Sequence, residues 1–305
     1  MLSGCKSSIQ LPTIFDDYLT RLGRVLNSAP PKLAPTAPPS LPRKRELQLE
    51  LTDIRMGLLE SYQLKQCGLF DLIAERNSIL GKVADRFSRF DYEIAFLAGL
   101  ERCITDKHID SLLISDLEQI KFQKRNNIHK LWHNILFVSN AMRAQKQANQ
   151  WINPDIDTSR VVSAFSLLQQ NNTAIISKQW HSITPIIDLQ ETLEKEPVIG
   201  RLHYSLLNLS HDFEALNAYL RDEFPKVVCT QGRDRTQYRY LNNVLTTVFI
   251  ERLQPNIAKL DRIYYQLAPY LDKLAINELK VSHQRFHHVV AEHIALWQTL
   301  RSRCQ

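Results

Sequence analysis

Three pairs of side chains lie four residues apart in segments of helical character, so each pair could present two metal ligands on one helix face. They are His129 with His133, His283 with His287, and His288 with Glu292. Two imidazoles at this spacing can bind zinc, but a catalytic zinc site also needs a third protein ligand, a bound water and a general base. The HKLWH segment at 129–133 lacks the glutamate of an HExxH motif. The sequence therefore favours ordinary surface histidines, and we predict no metal ligand and no cofactor.

The motifs of nucleotide binding and of nucleophilic catalysis are missing from the sequence. Gly81-Lys82 lies in NSILGKVA, which lacks both the first glycine of a Walker A loop and the Ser or Thr that follows its lysine. GxSxG does not occur, and the one SxxK match, Ser3 to Lys6, lacks the SDN and KTG motifs that accompany it in enzymes. A cysteine held by lipid or disulfide cannot act as a nucleophile. We predict no catalytic residue.

A polar corner interrupts the first apolar-periodic segment of the main body, at Glu75, Arg76, Asn77 and Ser78. These residue types are typical of a helix end, so we expect them to close a helix and order the connection after it. Arg76 should pair with an acid such as Asp91 or Glu93. A specific binding role for the corner is the alternative.

A second polar cluster places Arg233, Arg235 and Arg239 among two tyrosines in GRDRTQYRY. Arginine offers paired donors to phosphate, and tyrosine offers an amphipathic surface, so the cluster could hold phosphate groups of lipid or of an anionic glycan. Such clusters are more often the solvated start of a helix, which is the interpretation we favour.

The elements that position these residues are predicted to be helices. The chain has only 8 glycines in 305 residues, and its apolar residues recur at helical spacing. Ser88 with Asp91, and Ser115 with Glu118, look like capped helix starts. We predict an all-α, elongated multi-helix bundle with helices at about 14–27, 52–76, 88–104, 115–144, 161–170, 188–194, 198–224, 236–273 and 277–302. The longest alternating pattern is RELQLEL at 45–51.

A proline-rich stretch separates the first helix from the rest. Six prolines fall between Pro30 and Pro42, and such a run is extended and semi-rigid. We interpret it as a spacer; the alternative is a ligand for a proline-binding groove. The predicted division is a lipobox and tether at 1–14, a short helix and spacer at 15–43, and a helical domain at 44–305.

Two of the five cysteines bracket a predicted helical hairpin. Cys67 and Cys103 stand on either side of the polar connection at 77–87, so two antiparallel helices would bring them together. In an oxidising compartment four cysteines allow three pairings, and the hairpin selects this one. Cys229 is then left to join Cys304. The alternative is four reduced, buried cysteines.

The fifth cysteine follows Leu2-Ser3-Gly4, which resembles a bacterial lipobox. A lipoprotein precursor needs a charged region and an apolar region before this site, so the motif implies a signal peptide encoded further upstream. Lipid on Cys5 would attach the protein to a membrane, and Lys6 after it is typical of sorting to the outer membrane. The alternative is an ordinary cytosolic N-terminus with a chance cysteine.

Several segments together resemble a family of bacterial envelope lipoproteins catalogued as domain of unknown function 3080. They are Cys67-Gly-Leu, Leu72 to Ser78, Leu80-Gly-Lys82, Tyr92-Glu93, the N-terminal FDDYLTRLGRVL and the C-terminal cysteine. The resemblance implies a lipidated, mostly helical envelope protein and brings no known activity.

These observations predict a periplasmic helical body held at the outer membrane by lipid, serving as a non-catalytic binding or scaffolding component. The expected partner is an envelope protein, lipid or glycan. A net charge of +6, with bases and acids interleaved, argues against nucleic acid. One alternative is a metal-dependent hydrolase of envelope lipid or glycan that uses His283 and His287, and another is a lipid carrier.

Overall fold

The computed structural model describes residues 11–37, 39–52, 54, 62–147, 149–229 and 234–304, and it confirms the all-α prediction. No strand occurs in those ranges. The helices are α1 Leu11–Leu26, α2 Lys44–Leu47, α3 Leu69–Asn77, α4 Ile79–Val83, α5 Arg86–Thr105, α6 Ser111–Val138, α7 Asn140–Lys146, α8 Ser159–Ile176, α9 Leu189–Lys195, α10 Val198–Glu223, α11 Thr236–Val244, α12 Gln254–Leu271 and α13 Asn277–Cys304. A π-helical segment, Leu245–Leu253, joins α11 to α12, and 3₁₀ turns occur at Tyr62–Leu64, Trp180–Ser182 and Phe224–Lys226.

Helix α1 is part of the hydrophobic core. It begins at Leu11, three residues before the predicted start, and Leu11 and Ile14 are already buried. Phe15 is fully buried and meets Phe213 of α10 edge to face, with ring centroids 5.0 Å apart. An apolar stripe of this kind is stable only when it is covered, and here α10, α11 and the π-helical segment cover it.

The sequence predicts that the proline-rich run is a spacer. In the structure, its described residues lie along the helical body. The Thr36 amide donates a 2.8 Å hydrogen bond to Asn208 Oδ1, and Arg143 donates a 2.8 Å hydrogen bond to the Pro42 carbonyl. Leu33 packs against the core. An extended proline-rich backbone has no hydrogen-bond partners of its own, so side chains of α7 and α10 supply them.

A buried polar network links the first and last helices. His293 of α13 is fully buried, and its Nδ1 lies 2.9 Å from Oδ1 of Asn217 on α10. Its Nε2 lies 3.0 Å from the Tyr18 hydroxyl of α1 and 3.1 Å from Nε1 of Trp297. Because every polar atom of this cluster has a partner, the network fixes the relative positions of three helices.

Both predicted disulfides are present. Cys67 is bonded to Cys103 with their Cα atoms 5.2 Å apart, and Cys229 is bonded to Cys304 with a Cα separation of 4.6 Å. The first bond joins the turn before α3 to the end of α5. The hairpin packs closely because Gly99 has no side chain, and a Cβ there would lie 2.8 Å from Leu69 Cδ1.

Several predicted helix boundaries were wrong. Asp85 caps α5 by accepting from the Phe87 and Ser88 amides, and Asp110 caps α6 by accepting from the Leu112 amide. Ser115 lies inside α6 and does not begin it. The predicted helix at 52–76 is α3 from Leu69 onward, after a left-handed Gly68 with φ of 78°; its positions 53 and 55–61 lie outside the described residues.

The long helix predicted at 236–273 is interrupted by the π-helical segment. Here the Gln254 amide donates to the Phe249 carbonyl, five residues back. Pro255 follows directly, and proline has no amide hydrogen and clashes with the carbonyl four residues before it. The wider turn therefore accommodates a proline that would break a regular α-helix.

Candidate functional site

The polar corner at 75–78 closes α3 and opens the next helix. Ser78 Oγ accepts a 3.0 Å hydrogen bond from the Gly81 amide and so caps α4, while Arg76 donates to the Gly81 carbonyl. Among the described residues, Arg76 does not pair with Asp91 or Glu93, the two acids named as its expected partners. Asp91 accepts from the amides of Ile186 and Ile187 at 2.8 Å, and Glu93 pairs with another cation.

The corner borders a groove between α3, α5 and α6, which we call the polar groove. It encloses about 350 Å³, and Arg76 and Asn77 contribute to its wall. Its other polar lining residues among those described are Thr52, Arg89, Tyr92, Glu93, Lys124 and Asn127. The structure thus brings two of the four corner residues into a concave site with polar groups from two further helices.

An ion pair forms the base of the polar groove. Lys124 Nζ of α6 lies 2.8 and 3.1 Å from the two carboxylate oxygens of Glu93 on α5. The side chains are only 9% and 7% exposed, and the ammonium lies 5.0 Å from the Phe96 ring centroid. Charges this buried persist only when they are paired. The sequence did not reveal the pair because Lys124 lies in a charged run, FQKRNN, that looks solvated.

The second wall of the groove is an extended backbone held by asparagines. Asn134 of α6 donates to the Leu49 carbonyl and accepts from the Leu49 amide, both at 2.9 Å. Asn127 Nδ2 donates to the Thr52 carbonyl at 2.9 Å. Lys130 donates a 3.1 Å hydrogen bond to the Glu50 carbonyl. RELQLEL therefore ends in extended backbone whose hydrogen bonds, in the part of the chain that the structure describes, go to side chains of α6.

Four of the described residues that line the groove have ionisable side chains that carry charge at neutral pH: Arg76, Arg89, Lys124 and Glu93. Burial, followed by the charge of Glu93, raises the pKa of Tyr92, so its hydroxyl keeps its proton at neutral pH. Beside the paired Glu93 and Lys124, the described lining holds the Arg76 guanidinium and the Tyr92 phenol, which are donor groups that suit a ligand bearing carboxylate or phosphate oxygens.

Lys124→Met should be strongly destabilising, because it leaves the Glu93 carboxylate buried without its partner. We expect the free energy of unfolding to fall by about 3 kcal/mol. The double variant Glu93→Leu/Lys124→Met removes both charges and should recover most of that loss. Urea denaturation of the two variants and the wild type measures this. A single variant as stable as the wild type would contradict the buried pair.

Arg235 and Arg239 of the second polar cluster do not line the groove. Arg235 lies over the Tyr238 ring, 5.7 Å from its centroid, and Arg239 donates a 2.8 Å hydrogen bond to Thr236 Oγ1, all within the first turns of α11. Arg233 lies outside the described residues. These contacts are local, as expected for the start of a helix.

The sequence contains three pairs of side chains spaced as metal ligands could be. Among the described residues, one of these pairs lies beside a third potential ligand. His133 Nε2 donates to the Leu47 carbonyl at 2.9 Å, and Glu292 pairs with Arg221. His283 and His287, by contrast, both reach the carboxylate of Asp261 on α12. The sequence did not reveal this acid because it lies on a different helix, 22 residues before His283.

In the part of the chain that the structure describes, no helix is both long enough and apolar enough to cross a bilayer.

Comparisons with known proteins give a family and nothing more specific. Neither the curated proteins nor the solved structures contain a match to the chain. The family model described as Protein of unknown function (DUF3080) matches residues 15–305, and the chain therefore belongs to that family.

Proposed function

We propose that this protein is a lipid-anchored component of the bacterial envelope, exposed to the periplasm, that works by non-catalytic binding. The observation that carries the location is the use of cysteine: two disulfides consume four of the five cysteines. Disulfides persist in oxidising compartments such as the periplasm and are rare in the cytosol. The fifth cysteine is then the one in the lipobox-like LSGC.

Lipid on Cys5 would hold the body close to the membrane. Five residues, 6–10, separate Cys5 from the start of α1. A fully extended chain of six residue steps spans about 20 Å, so the first turn of α1 would stay within that distance of the bilayer. Because the proline-rich run is packed on the body, the reach of the protein comes from these few residues. Such tethering raises its effective concentration near envelope partners.

The polar groove is the proposed binding site. Its donors favour an anionic group on the ligand, which envelope proteins, lipids and glycans all provide as carboxylate or phosphate. The buried Glu93–Lys124 pair forms the floor, and Arg76 and Tyr92 line the wall. No described residue of the groove forms a nucleophile–base pair, and binding is the activity that this arrangement supports.

Cys5→Ala should abolish lipid attachment. With the gene expressed from its own chromosomal locus and the cells fed labelled palmitate, we expect the wild-type protein to carry label and to sediment with outer membranes. The variant should lose both properties. Cys67→Ala/Cys103→Ala, which removes two other cysteines, is the matched control and should keep the label. Equal labelling of wild type and Cys5→Ala would refute the anchor.

A photo-crosslinking residue at the groove rim tests the binding role. Asn77 lines the groove and its side chain is exposed, whereas Gln170 is an exposed residue of α8 that does not line it. In intact cells we expect defined adducts from position 77 and none from position 170. When Glu93→Leu/Lys124→Met is combined with the photo-crosslinking residue at position 77, we expect a lower yield of those adducts. The same adducts from both positions would argue against the groove as the site.

A further inference from the structure

The side chains of Asp261, His283 and His287 converge between α12 and α13. Oδ1 of Asp261 lies 2.9 Å from Nε2 of each imidazole, and the two Nε2 atoms are 3.1 Å apart. The histidines are four residues apart on α13, which places both on one helix face. Three potential ligand atoms thus form a nearly equilateral triangle.

The surroundings fix two of these side chains and leave the third open to solvent. The His283 imidazole is 6% exposed and stacks on the Tyr264 ring at 3.5 Å with an angle of 9° between the planes. Asp261 is 22% exposed, and the His287 side chain is 48% exposed. A small ion can therefore reach the triangle from solvent, and little reorganisation is needed to bind it.

The dimensions of the triangle suit a metal ion. Ligand atoms about 2.1 Å from a metal are about 3.0 Å apart when they subtend a right angle and about 3.4 Å apart in a tetrahedron. The observed edges of 2.9, 2.9 and 3.1 Å match the right-angle arrangement. Two imidazoles and one carboxylate on one face, with the other positions free for water, form a ligand set typical of divalent transition metals.

We propose that Asp261, His283 and His287 bind one divalent transition-metal ion, with water completing its coordination. Imidazole nitrogen selects such ions over magnesium and calcium, which prefer oxygen. The ion would clamp α12 to α13 and expose a bound water at the surface. This proposal concerns metal binding alone and does not depend on the lipid anchor or the polar groove.

The chain offers a matched control for the metal ligands. His288 is the next residue on α13 and is exposed, and it contributes no atom to the triangle. His288→Ala therefore removes an imidazole from the same helix surface without touching the proposed site. His287→Ala removes a half-exposed ligand, and Asp261→Asn keeps the shape of the side chain while removing its charge.

The test is a titration of the chelator-treated, disulfide-intact protein with Zn²⁺ and separately with Mg²⁺, followed by calorimetry and by the thermal unfolding midpoint. We expect one Zn²⁺ per chain, a midpoint that rises with Zn²⁺ concentration, and no response to Mg²⁺. His287→Ala and Asp261→Asn should each weaken zinc binding at least about 10-fold, the loss that even an outer-shell partner causes. His288→Ala should bind as the wild type does.

Two results would overturn the metal site. One is wild-type protein that shows no saturable zinc binding. The other is equal zinc affinity in His287→Ala and the wild type, which would place the ion elsewhere. Circular dichroism of each variant before titration establishes that it is folded, so a loss of binding reports on the ligand. Fatty-acid labelling of Cys5 is unaffected by any of these outcomes.

Discussion

Replacing Cys229 and Cys304 together by alanine should lower the free energy of unfolding by about 4 kcal/mol. The bond closes a loop between residues 75 apart in sequence, and cutting it frees the unfolded chain to adopt far more conformations. In the folded protein the bond ties the end of α13 to the segment after the 3₁₀ turn Phe224–Lys226. Arg303 donates to the Val227 carbonyl at 3.2 Å and would keep part of this attachment.

Urea unfolding of the alanine pair and of the wild type, each with and without reductant, measures the effect. Reductant should destabilise the wild type by more than it destabilises the alanine pair, because the latter retains only Cys67–Cys103. The pair Cys67→Ala/Cys103→Ala should lose a similar amount, since those cysteines are 36 residues apart and loop-closure entropy varies slowly with length. A wild type whose stability is unchanged by reductant would contradict both bonds.

The second large effect is a loss of stability in mild acid that is due to His293. Asn217 Nδ2 donates to the Val289 carbonyl, so the Asn217 oxygen faces His293 and requires a proton on Nδ1. Nε2 faces two donors, the Tyr18 hydroxyl and Trp297 Nε1–H. The pocket is thus arranged for the neutral imidazole, and burial lowers the pKa of His293 from 6.5 to about 3.

The direction of the pH effect follows from this lowered pKa. Below pH 6.5 the unfolded chain binds a proton at His293 that the folded chain does not bind, so folding is progressively disfavoured between pH 6.5 and about 3. At pH 5 the loss should be about 2 kcal/mol relative to pH 7.

Protonation of Asp212 has the opposite effect on stability, so the wild type and a His293 variant must be compared at each pH. Burial, and then the charge of Asp16, raises the pKa of Asp212 to about 7, and the folded state therefore gains a proton as the pH falls. His293→Gln leaves that contribution in place. The stability difference between the wild type and His293→Gln should shrink by about 2 kcal/mol from pH 7 to pH 5. A difference that stays constant with pH would show that His293 is not held neutral.

The local part of the fold was predictable from the sequence. Cys67 and Cys103 flank one hairpin, so helix geometry alone selected their pairing, and Cys229 with Cys304 followed by elimination. The capping prediction at Ser115 and Glu118 failed because the same residue pattern occurs by chance inside a helix. Asp110, only five residues earlier, is an equally good cap and is the one used.

Only part of each candidate site could be predicted from the sequence, because each site combines distant parts of the chain. Asn77 and Arg76 were singled out from their own segment, yet the floor of the polar groove is an ion pair between α5 and α6. The extended backbone at 48–52 has an alternating sequence, but its described partners are asparagine and lysine side chains of α6. No periodicity in one segment encodes such a partner, since tertiary packing selects it.

The most direct test of the proposed location is peptide mapping by mass spectrometry, without reduction, of the protein purified from the outer membranes of its own cells. We predict an N-terminal peptide that begins at Cys5 and carries a diacylglycerol and an amide-linked acyl chain, together with the linked peptides Cys67–Cys103 and Cys229–Cys304. An unmodified Cys5 inside a peptide that still contains residues 1–4, with four free thiols elsewhere, would contradict the account of a lipid-anchored envelope protein.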